Sequence, residues 1–137
     1  MVIDSSAVIA ILFGEPDAVW FETAILGDAV RMMSAVSLVE SSIVVDHHLG
    51  DKALGKLDAF VSRTRIQIVP VLLEQAAVAR LAFHQYGKGR HKAGLNFGDC
   101  FSYALAKVSG EPLLHKGNDF SLTDLAIASP PPSPQNT

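Results

Sequence analysis

Short, mostly apolar runs alternate along the chain with longer segments in which apolar residues recur every three or four positions. The short runs cover residues 1–3, 31–33, 66–69 and 112–115, and each has the length of a strand rather than of a helix. The longer segments between them have the spacing of amphipathic helices. This alternation predicts an α/β fold in which helices cover both faces of a parallel sheet.

Capping residues and glycines mark the ends of the predicted helices. Ser34 is a favourable N-cap for a helix over residues 35–49 that ends at Gly50, and Asp51 is expected to cap the next helix. Asn96 is expected to open a later helix that continues to about residue 107. The remaining helices are predicted near residues 5–13, 19–26, 53–61 and 74–86, and a short final strand within residues 125–128.

The chain has the size of one domain, which we assign to residues 1–128 of the 137 present. Apolar residues make up 49% of the sequence and charged residues 18%, which is enough for a full core and leaves apolar surface for a partner. Residues 129–137 are rich in proline and polar residues, and this composition predicts a disordered tail.

Charge and cysteine content narrow the class of protein. The formal net charge is −3, so any contact with nucleic acid is expected to come from a local basic patch. The single cysteine, Cys100, excludes an intrachain disulfide and fits a reducing, cytoplasmic location. We expect no signal peptide, because no basic segment precedes an apolar run at the N-terminus. We expect no membrane partner, because the longest wholly apolar run, residues 7–13, is far shorter than the roughly 20 residues that span a bilayer.

Four acidic residues are expected to meet at one edge of the predicted sheet: Asp4, Glu40, Asp99 and Asp119. Three of them fall at strand ends or helix starts, where parallel sheets bind ligands. The fourth, Glu40, is the one charged residue on an otherwise apolar part of its helix. Carboxylates about 4 Å apart repel by about 4 kcal/mol at an effective dielectric of about 20, so such a cluster requires protons or a cation. All-oxygen ligands suit Mg²⁺ or Mn²⁺ rather than zinc.

Each acid also has an ordinary structural explanation. Asp4 can cap the first helix, although the two serines after it could do so equally well and leave its carboxylate free. Asn96 and Asp99 have the spacing of a capping box. Glu40 can face solvent along a stripe of serines, and Asp119 can be an ordinary turn residue.

Several stretches, taken together, resemble a PIN domain. They are Met-Val-Ile-Asp-Ser-Ser-Ala at residues 1–7, Gly-Leu-Asn-Phe-Gly-Asp-Cys at residues 94–100 and Leu-Leu-His-Lys-Gly-Asn-Asp-Phe-Ser-Leu-Thr-Asp at residues 113–124, with the helical Glu40 between them. More narrowly, they resemble the VapC toxins of bacterial toxin–antitoxin pairs. The resemblance runs from Met1 to about residue 128. His115 is a departure, since it stands where an aromatic residue is common.

The resemblance implies a three-layer α/β/α fold with a central parallel sheet of four to five strands. It also implies a Mg²⁺-dependent endoribonuclease, with Mn²⁺ as a substitute, that is inhibited by a cognate VapB-like antitoxin and forms a homodimer. The family's acidic quartet falls on Asp4, Glu40, Asp99 and Asp119, of which we expect Asp4 and Asp99 to be direct metal ligands. Ser6 and Asn96 match supporting polar residues, and Asp124 is a second candidate for the fourth acid.

An RNA substrate requires a basic surface beside this acidic site. The best candidate is the segment 80–92, which contains Arg80, Lys88, Arg90 and Lys92 and no acidic residue. Contacts from such side chains to phosphates give affinity without reading the base sequence. The alternative is that this segment is simply a solvated loop.

Two other functions share the predicted fold. A metal-dependent phosphatase of the Asp-x-Asp type also begins with a strand and an acid, but it needs a second acid where Ser6 stands. A non-catalytic PIN-like scaffold that only binds a protein partner would have an incomplete set of acids. The sequence leaves open the RNA target, the antitoxin and the number of metal ions.

Overall fold

The computed structural model describes residues 1–128 and contains a parallel sheet of four short strands in the order β3-β2-β1-β4. The strands are β1 (Val2–Ile3), β2 (Met32–Ser34), β3 (Gln67–Val69) and β4 (Leu113–Leu114). In the centre of the sheet, Val2 pairs with Met32 on one side and with Leu113 on the other. The tail predicted to be disordered, residues 129–137, lies outside the described residues.

The helices are α1 (Ser5–Leu12), α2 (Ala18–Leu26), α3 (Ala35–Leu49), α4 (Ala53–Thr64), α5 (Leu73–Tyr86) and α6 (Phe97–Ser109). As predicted, Ser34 caps α3 by accepting a hydrogen bond from the Val36 N–H. The expected cap by Asp51 is wrong. A single 3₁₀ turn, Gly50–Lys52, leads directly into α4, so no side chain is required to cap that helix and none does. In residues 1–128 no helix is sufficiently long and apolar to cross a membrane.

Alternate residues of the central strands supply two separate cores. Ile3 and Leu114 face one core, which α1, α2 and α4 complete with residues such as Phe21. Val2 and Leu113 face the other, which α5 and α6 complete. Since successive side chains of a strand point to opposite faces, both faces of the sheet are buried under helices. This arrangement confirms the predicted three-layer α/β/α fold.

The predicted final strand is reduced to one parallel bridge at the edge of the sheet. Leu113 pairs with Ile127, the Leu113 N–H donates to the Ala126 carbonyl at 2.9 Å, and the Ala128 N–H donates to the Leu113 carbonyl at 2.8 Å. These bonds tie the segment after Asp119 to the edge strand β4. The turn that carries Asp119 is therefore anchored at both ends.

Candidate active site

Strand β1 delivers Asp4 to the edge of the sheet at which the parallel strands end. The Asp4 N–H donates to the Leu114 carbonyl at 3.0 Å, which continues the pairing of β1 with β4 by one residue. The side chain is only 2% exposed. Its Oδ1 accepts a hydrogen bond from Ser102 Oγ at 2.5 Å, and its Oδ2 accepts one from the Ser6 N–H at 3.0 Å. The carboxylate is thus fixed in position from two sides.

Asp4 is itself the N-cap of α1, which decides between the two alternatives that the sequence offered, since neither Ser5 nor Ser6 caps this helix. The residue has the extended backbone of an N-cap, with φ −78° and ψ 154°, which points its carboxylate at the N–H two residues later. The serines have other partners. Ser5 Oγ donates to Glu40, and Ser6 Oγ accepts a hydrogen bond from the Lys116 N–H at 2.9 Å. Oδ2 of Asp4 caps the helix, and Oδ1 accepts the hydrogen bond from Ser102.

Glu40 is directed into the site rather than along a solvent-facing stripe. Its Oε1 accepts the hydrogen bond from Ser5, and two serines of the supposed stripe, Ser37 and Ser41, are fully buried. The carboxylate lies against the backbone of Gly98 in the first turn of α6. A methyl group added at Gly98 would sit 2.6 Å from the Glu40 carboxyl carbon. The glycine therefore makes room for the acid.

Asn96 and Asp99 form the predicted capping box at the start of α6. Asn96 Oδ1 accepts a hydrogen bond from the Asp99 N–H at 2.9 Å, and Asp99 Oδ2 accepts one from the Asn96 N–H at 3.0 Å. This reciprocal pair fixes the orientation of the Asp99 side chain in the first helical turn. Asn96 thus holds the Asp99 side chain in one orientation through these two hydrogen bonds. Asp99 itself is half-buried.

The four acids share one electrostatic environment. Burial raises the pKa of Asp99 to about 6, and the charges of Asp4, Glu40 and Asp119 add to this rise, while the hydrogen bond from the Asn96 backbone opposes it. Burial also raises the pKa of Glu40, with a further contribution from the charge of Asp4. Asp119, in the exposed turn after β4, completes the group. The charges of Asp4, Glu40 and Asp119 thus all act on Asp99.

Asp124 lies apart from this cluster. One of its oxygens accepts a hydrogen bond from Tyr103 Oη at 2.6 Å, and the other accepts one from Lys107 Nζ at 2.9 Å. These bonds lower the pKa of Asp124, whereas the clustered Glu40 and Asp99 have raised pKa values. Of the two candidates for the fourth position, Asp119 is the one whose charge acts on Asp99.

Ser102 is a site residue that the sequence analysis missed. It is fully buried, it donates to Asp4, and its Oγ lies 3.0 Å from that of Ser37. A chain of polar groups therefore joins α3, α6 and the end of β1. Residues three apart on a helix share a face, so the position of Ser102 relative to Asp99 was the available signal.

The four acids supply only oxygen donors, which are the ligands that a hard divalent cation such as Mg²⁺ prefers. Within residues 1–128, none of the four acids forms an ion pair with a basic side chain. In the same range, no three histidine, cysteine or acidic side chains are placed to hold an ion together. Mg²⁺ commonly takes only one or two carboxylates and completes its shell with water, so this spacing is compatible with it.

The four predicted RNA-binding residues divide into two pairs. Arg80 and Arg90 line a groove of about 980 Å³ between α5 and α6, on the side of α6 that carries Phe97 and Cys100. Lys88 and Lys92 are exposed on the loop beyond α5 and lie outside the lining of this groove. The structure thus joins the two arginines to one concave surface and leaves the two lysines on the loop.

Comparison with known proteins agrees with this geometry. A family model described as PIN domain matches residues 1–125. Ribonuclease VapC of Mycolicibacterium smegmatis is 55% identical over 126 residues, covering 92% of this chain and 98% of the relative. Ribonuclease VapC30 of Mycobacterium tuberculosis is 50% identical over 131 residues, covering 96% of this chain and 100% of the relative. The chain belongs to the PIN-domain family of VapC toxins.

Solved structures of VapC proteins share the fold at low sequence identity. VapC20 of Mycobacterium tuberculosis, a sarcin-ricin loop cleaving toxin, superimposes with a TM-score of 0.77 at 17% identity and covers 95% of this chain and 98% of its own. VapBC2 of Rickettsia felis, bound to a DNA fragment from its promoter, gives a TM-score of 0.69 at 17% identity, covering 92% and 94% of the two chains. The PIN architecture is therefore conserved although most side chains differ.

Proposed function

We propose that this chain is the toxin of a toxin–antitoxin pair and acts as a Mg²⁺-dependent endoribonuclease that hydrolyses RNA phosphodiesters. The observation that carries the proposal is the packing of Glu40 against Ser5 and Gly98, the chain neighbours of Asp4 and Asp99. The charge of Asp119 also acts on Asp99. Relatives named as VapC ribonucleases, at 50–55% identity, support RNA as the substrate.

Asp4 and Asp99 would hold the metal ion, and Glu40 and Asp119 would act on it through water. Bound there, Mg²⁺ or Mn²⁺ would supply an activated water for in-line attack and stabilise charge on the leaving oxygen. Hydrolysis of this kind gives a 5′-phosphate and a 3′-hydroxyl product.

The chain's own residues prepare this site in defined ways. Ser102 and the Ser6 N–H orient the two oxygens of Asp4, and the capping box orients Asp99. Glu40, with its raised pKa, is placed between Ser5 and Gly98, where it can position the attacking water. Asp99 must lose its proton to bind a cation, so we expect the affinity of the site for a cation to weaken as the pH falls through about 6.

The decisive experiment maps cleavage of total cellular RNA with the wild-type protein and with single variants. We expect Asp4→Asn, Asp99→Asn and Asp119→Asn each to lower Mg²⁺-dependent cleavage by about 100-fold or more, and chelation by EDTA to abolish it. Asp124→Asn is the matched control, because it removes an acid tied to Lys107 outside the cluster. Full activity of the Asp99 variant would overturn the proposal.

A cognate VapB-like antitoxin and a second copy of the chain are the proposed protein partners, in the cytoplasm. The toxin–antitoxin complexes among the structural neighbours support the antitoxin. Exposed apolar side chains on α2 and α3 support protein contacts there, since Val19, Val39 and Ile43 are 78%, 58% and 65% exposed. Light scattering of the purified chain tests the homodimer: the mass of two chains is expected, and the mass of one would contradict it.

A non-catalytic PIN-like scaffold is the alternative function. It is favoured by the spacing of the acids, because within residues 1–128 no three of them are placed to hold an ion together. Calorimetric titration with Mn²⁺ separates the two. Binding that is lost in Asp99→Asn supports the nuclease, whereas no binding by the wild-type protein supports the scaffold.

A further inference from the structure

The groove between α5 and α6 combines exposed aromatic rings with positive charge. Its walls include Phe83 and Arg80 from α5, Phe97 and Phe101 from α6, and Arg90 from the loop between them. We call this surface the aromatic groove. Among the described residues that line it, none is acidic.

Phe97 connects the aromatic groove to the acids. It is the first residue of α6, between the cap Asn96 and the acid Asp99, so the groove and the site share one helical turn. Its side chain is 73% exposed, although its ring lies edge-on to that of Phe101 at a centroid distance of 4.9 Å. A large ring exposed beside a catalytic cluster is placed to contact a ligand rather than to fill the core.

The arginines of the groove are available to an anionic partner. Within residues 1–128, neither Arg80 nor Arg90 forms an ion pair. Arg90 instead lies over the ring of Phe83, with its guanidinium carbon 5.7 Å from the ring centroid, and 3.4 Å separates its Nη1 from His84 Nδ1. Its charge therefore stands over an apolar surface without neutralisation, in the arrangement that accepts phosphates next to stacked bases.

We propose that Phe97 is a stacking platform for a base of single-stranded RNA beside the bond to be cleaved, with Arg80 and Arg90 holding the adjoining phosphates. This inference rests on the proposed ribonuclease function and adds to it the residue that orients the substrate strand. Every base has an aromatic face, so stacking on Phe97 gives affinity with little dependence on base sequence. The positive lining favours RNA over an apolar or basic peptide as the occupant of the groove.

The test measures binding of a fluorescent single-stranded RNA decamer in EDTA, so that cleavage plays no part. We expect Phe97→Ala to weaken binding by about 5- to 160-fold, the range for loss of one stacked base. Phe97→Leu keeps apolar bulk but has no aromatic face, so it is expected to lose a similar factor, while Phe97→Trp retains binding. Leu54→Ala is the control, because Leu54 is 51% exposed on α4, outside the groove.

Two further measurements identify which part of the RNA Phe97 and the two arginines contact. A decamer without bases should bind the wild-type protein and Phe97→Ala equally weakly. Arg80→Ala and Arg90→Ala should each flatten the dependence of log Kd on log salt by about 0.7, the value for one lost phosphate contact on a single strand. Binding of the RNA by Phe97→Ala as tight as by the wild type would overturn the platform.

The outcomes separate this inference from the function on which it rests. If the wild-type protein cleaves RNA with Mg²⁺ while Phe97→Ala and Phe97→Leu bind the decamer unchanged, the platform fails and the nuclease stands. If the wild-type protein binds the decamer through Phe97 but never cleaves it, the nuclease fails and the RNA site stands. A change in the mass of the Phe97→Ala protein with unchanged RNA affinity would assign the ring to a protein interface and overturn the platform.

Discussion

Ser102 Oγ donates a 2.5 Å hydrogen bond to Asp4 Oδ1, joining two buried residues that lie 98 positions apart in the chain. Ser102 in turn contacts Ser37, so helices α3 and α6 both bear on the orientation of the first acid. A buried carboxylate whose hydrogen-bond partner fixes one oxygen keeps a defined direction for its remaining lone pairs. This relationship makes Ser102 a positioning residue for the proposed metal site.

Replacement of Ser102 by alanine is expected to lower Mg²⁺ affinity and RNA cleavage by about 10- to 100-fold, the usual cost of removing a group that orients a metal ligand. The protein should remain folded, because only one hydroxyl group is lost. Cleavage rates measured against Mg²⁺ concentration check this, and higher Mg²⁺ should restore part of the activity.

Ser62→Ala is the control, since Ser62 is exposed on α4, a helix that carries none of the four acids. If Ser102→Ala had the same dependence of cleavage rate on Mg²⁺ concentration as the wild type, Ser102 would not be required to orient Asp4.

Replacement of Gly98 by alanine is expected to reduce cleavage by about 10- to 100-fold, because the new methyl group would overlap the Glu40 carboxylate and displace it. Gly55→Ala is a matched control in α4, where a methyl group meets nothing within 4 Å. That control should keep full activity and raise the free energy of unfolding by about 0.5–1 kcal/mol, the ordinary gain for glycine to alanine in a helix.

Cleavage assays and chemical denaturation of the two glycine variants provide the comparison. If Gly98→Ala proved as active as Gly55→Ala, the close packing of Glu40 on α6 would be irrelevant to activity.

The raised pKa of Asp99 predicts a pH-dependent stability in the absence of divalent ions. Between the ordinary value of 3.8 and about 6, the folded state binds more protons than the unfolded state, so the free energy of unfolding falls as pH rises through this window. After allowance for solvent screening, the loss is about 1–2 kcal/mol. Burial raises the pKa of Glu40 in the same direction.

Urea denaturation in EDTA between pH 4.5 and 7.5 measures this dependence. The Asp99→Asn variant should be more stable than the wild type at pH 7.5 and should show a flatter profile. Burial lowers the pKa of His115, which acts in the opposite direction in the same range, so the comparison with Asp99→Asn is the decisive one. Identical profiles for the wild type and Asp99→Asn would contradict a raised pKa at Asp99.

Divalent ions are expected to reverse this instability, because an ion that binds only the folded state stabilises it. At pH 7.5, Mg²⁺ or Mn²⁺ should raise the Tm of the wild type, and the rise should shrink below pH 6 as protons compete for Asp99. The shift should vanish in Asp4→Asn and persist in Asp124→Asn. Calorimetry or fluorescence measures these Tm values. Equal Tm shifts in the wild type, Asp4→Asn and Asp124→Asn would show that the ion binds elsewhere.

The sequence by itself determined the elements and the positions of the acids along them. Apolar periodicity located the strands and helices, and the Ser34 cap and Gly50 set the bounds of α3 as they are observed. The capping box of Asn96 and Asp99 followed from spacing alone. These features are local, because they depend on residues within a few positions of one another, and a sequence displays such relations directly.

Only the tertiary structure decided how the site is supported. Because α6 packs against β1 and α3, Ser102 forms a hydrogen bond with Asp4 and Gly98 contacts Glu40. Asp124 instead forms a hydrogen bond with Tyr103, apart from the other acids. It also placed Phe97 in a groove with two arginines. Contacts between residues as distant in sequence as Asp4 and Ser102, 98 positions apart, depend on how helices pack over a sheet. The pattern of apolar and polar residues determines which faces are buried, but it does not determine which side chains come into contact.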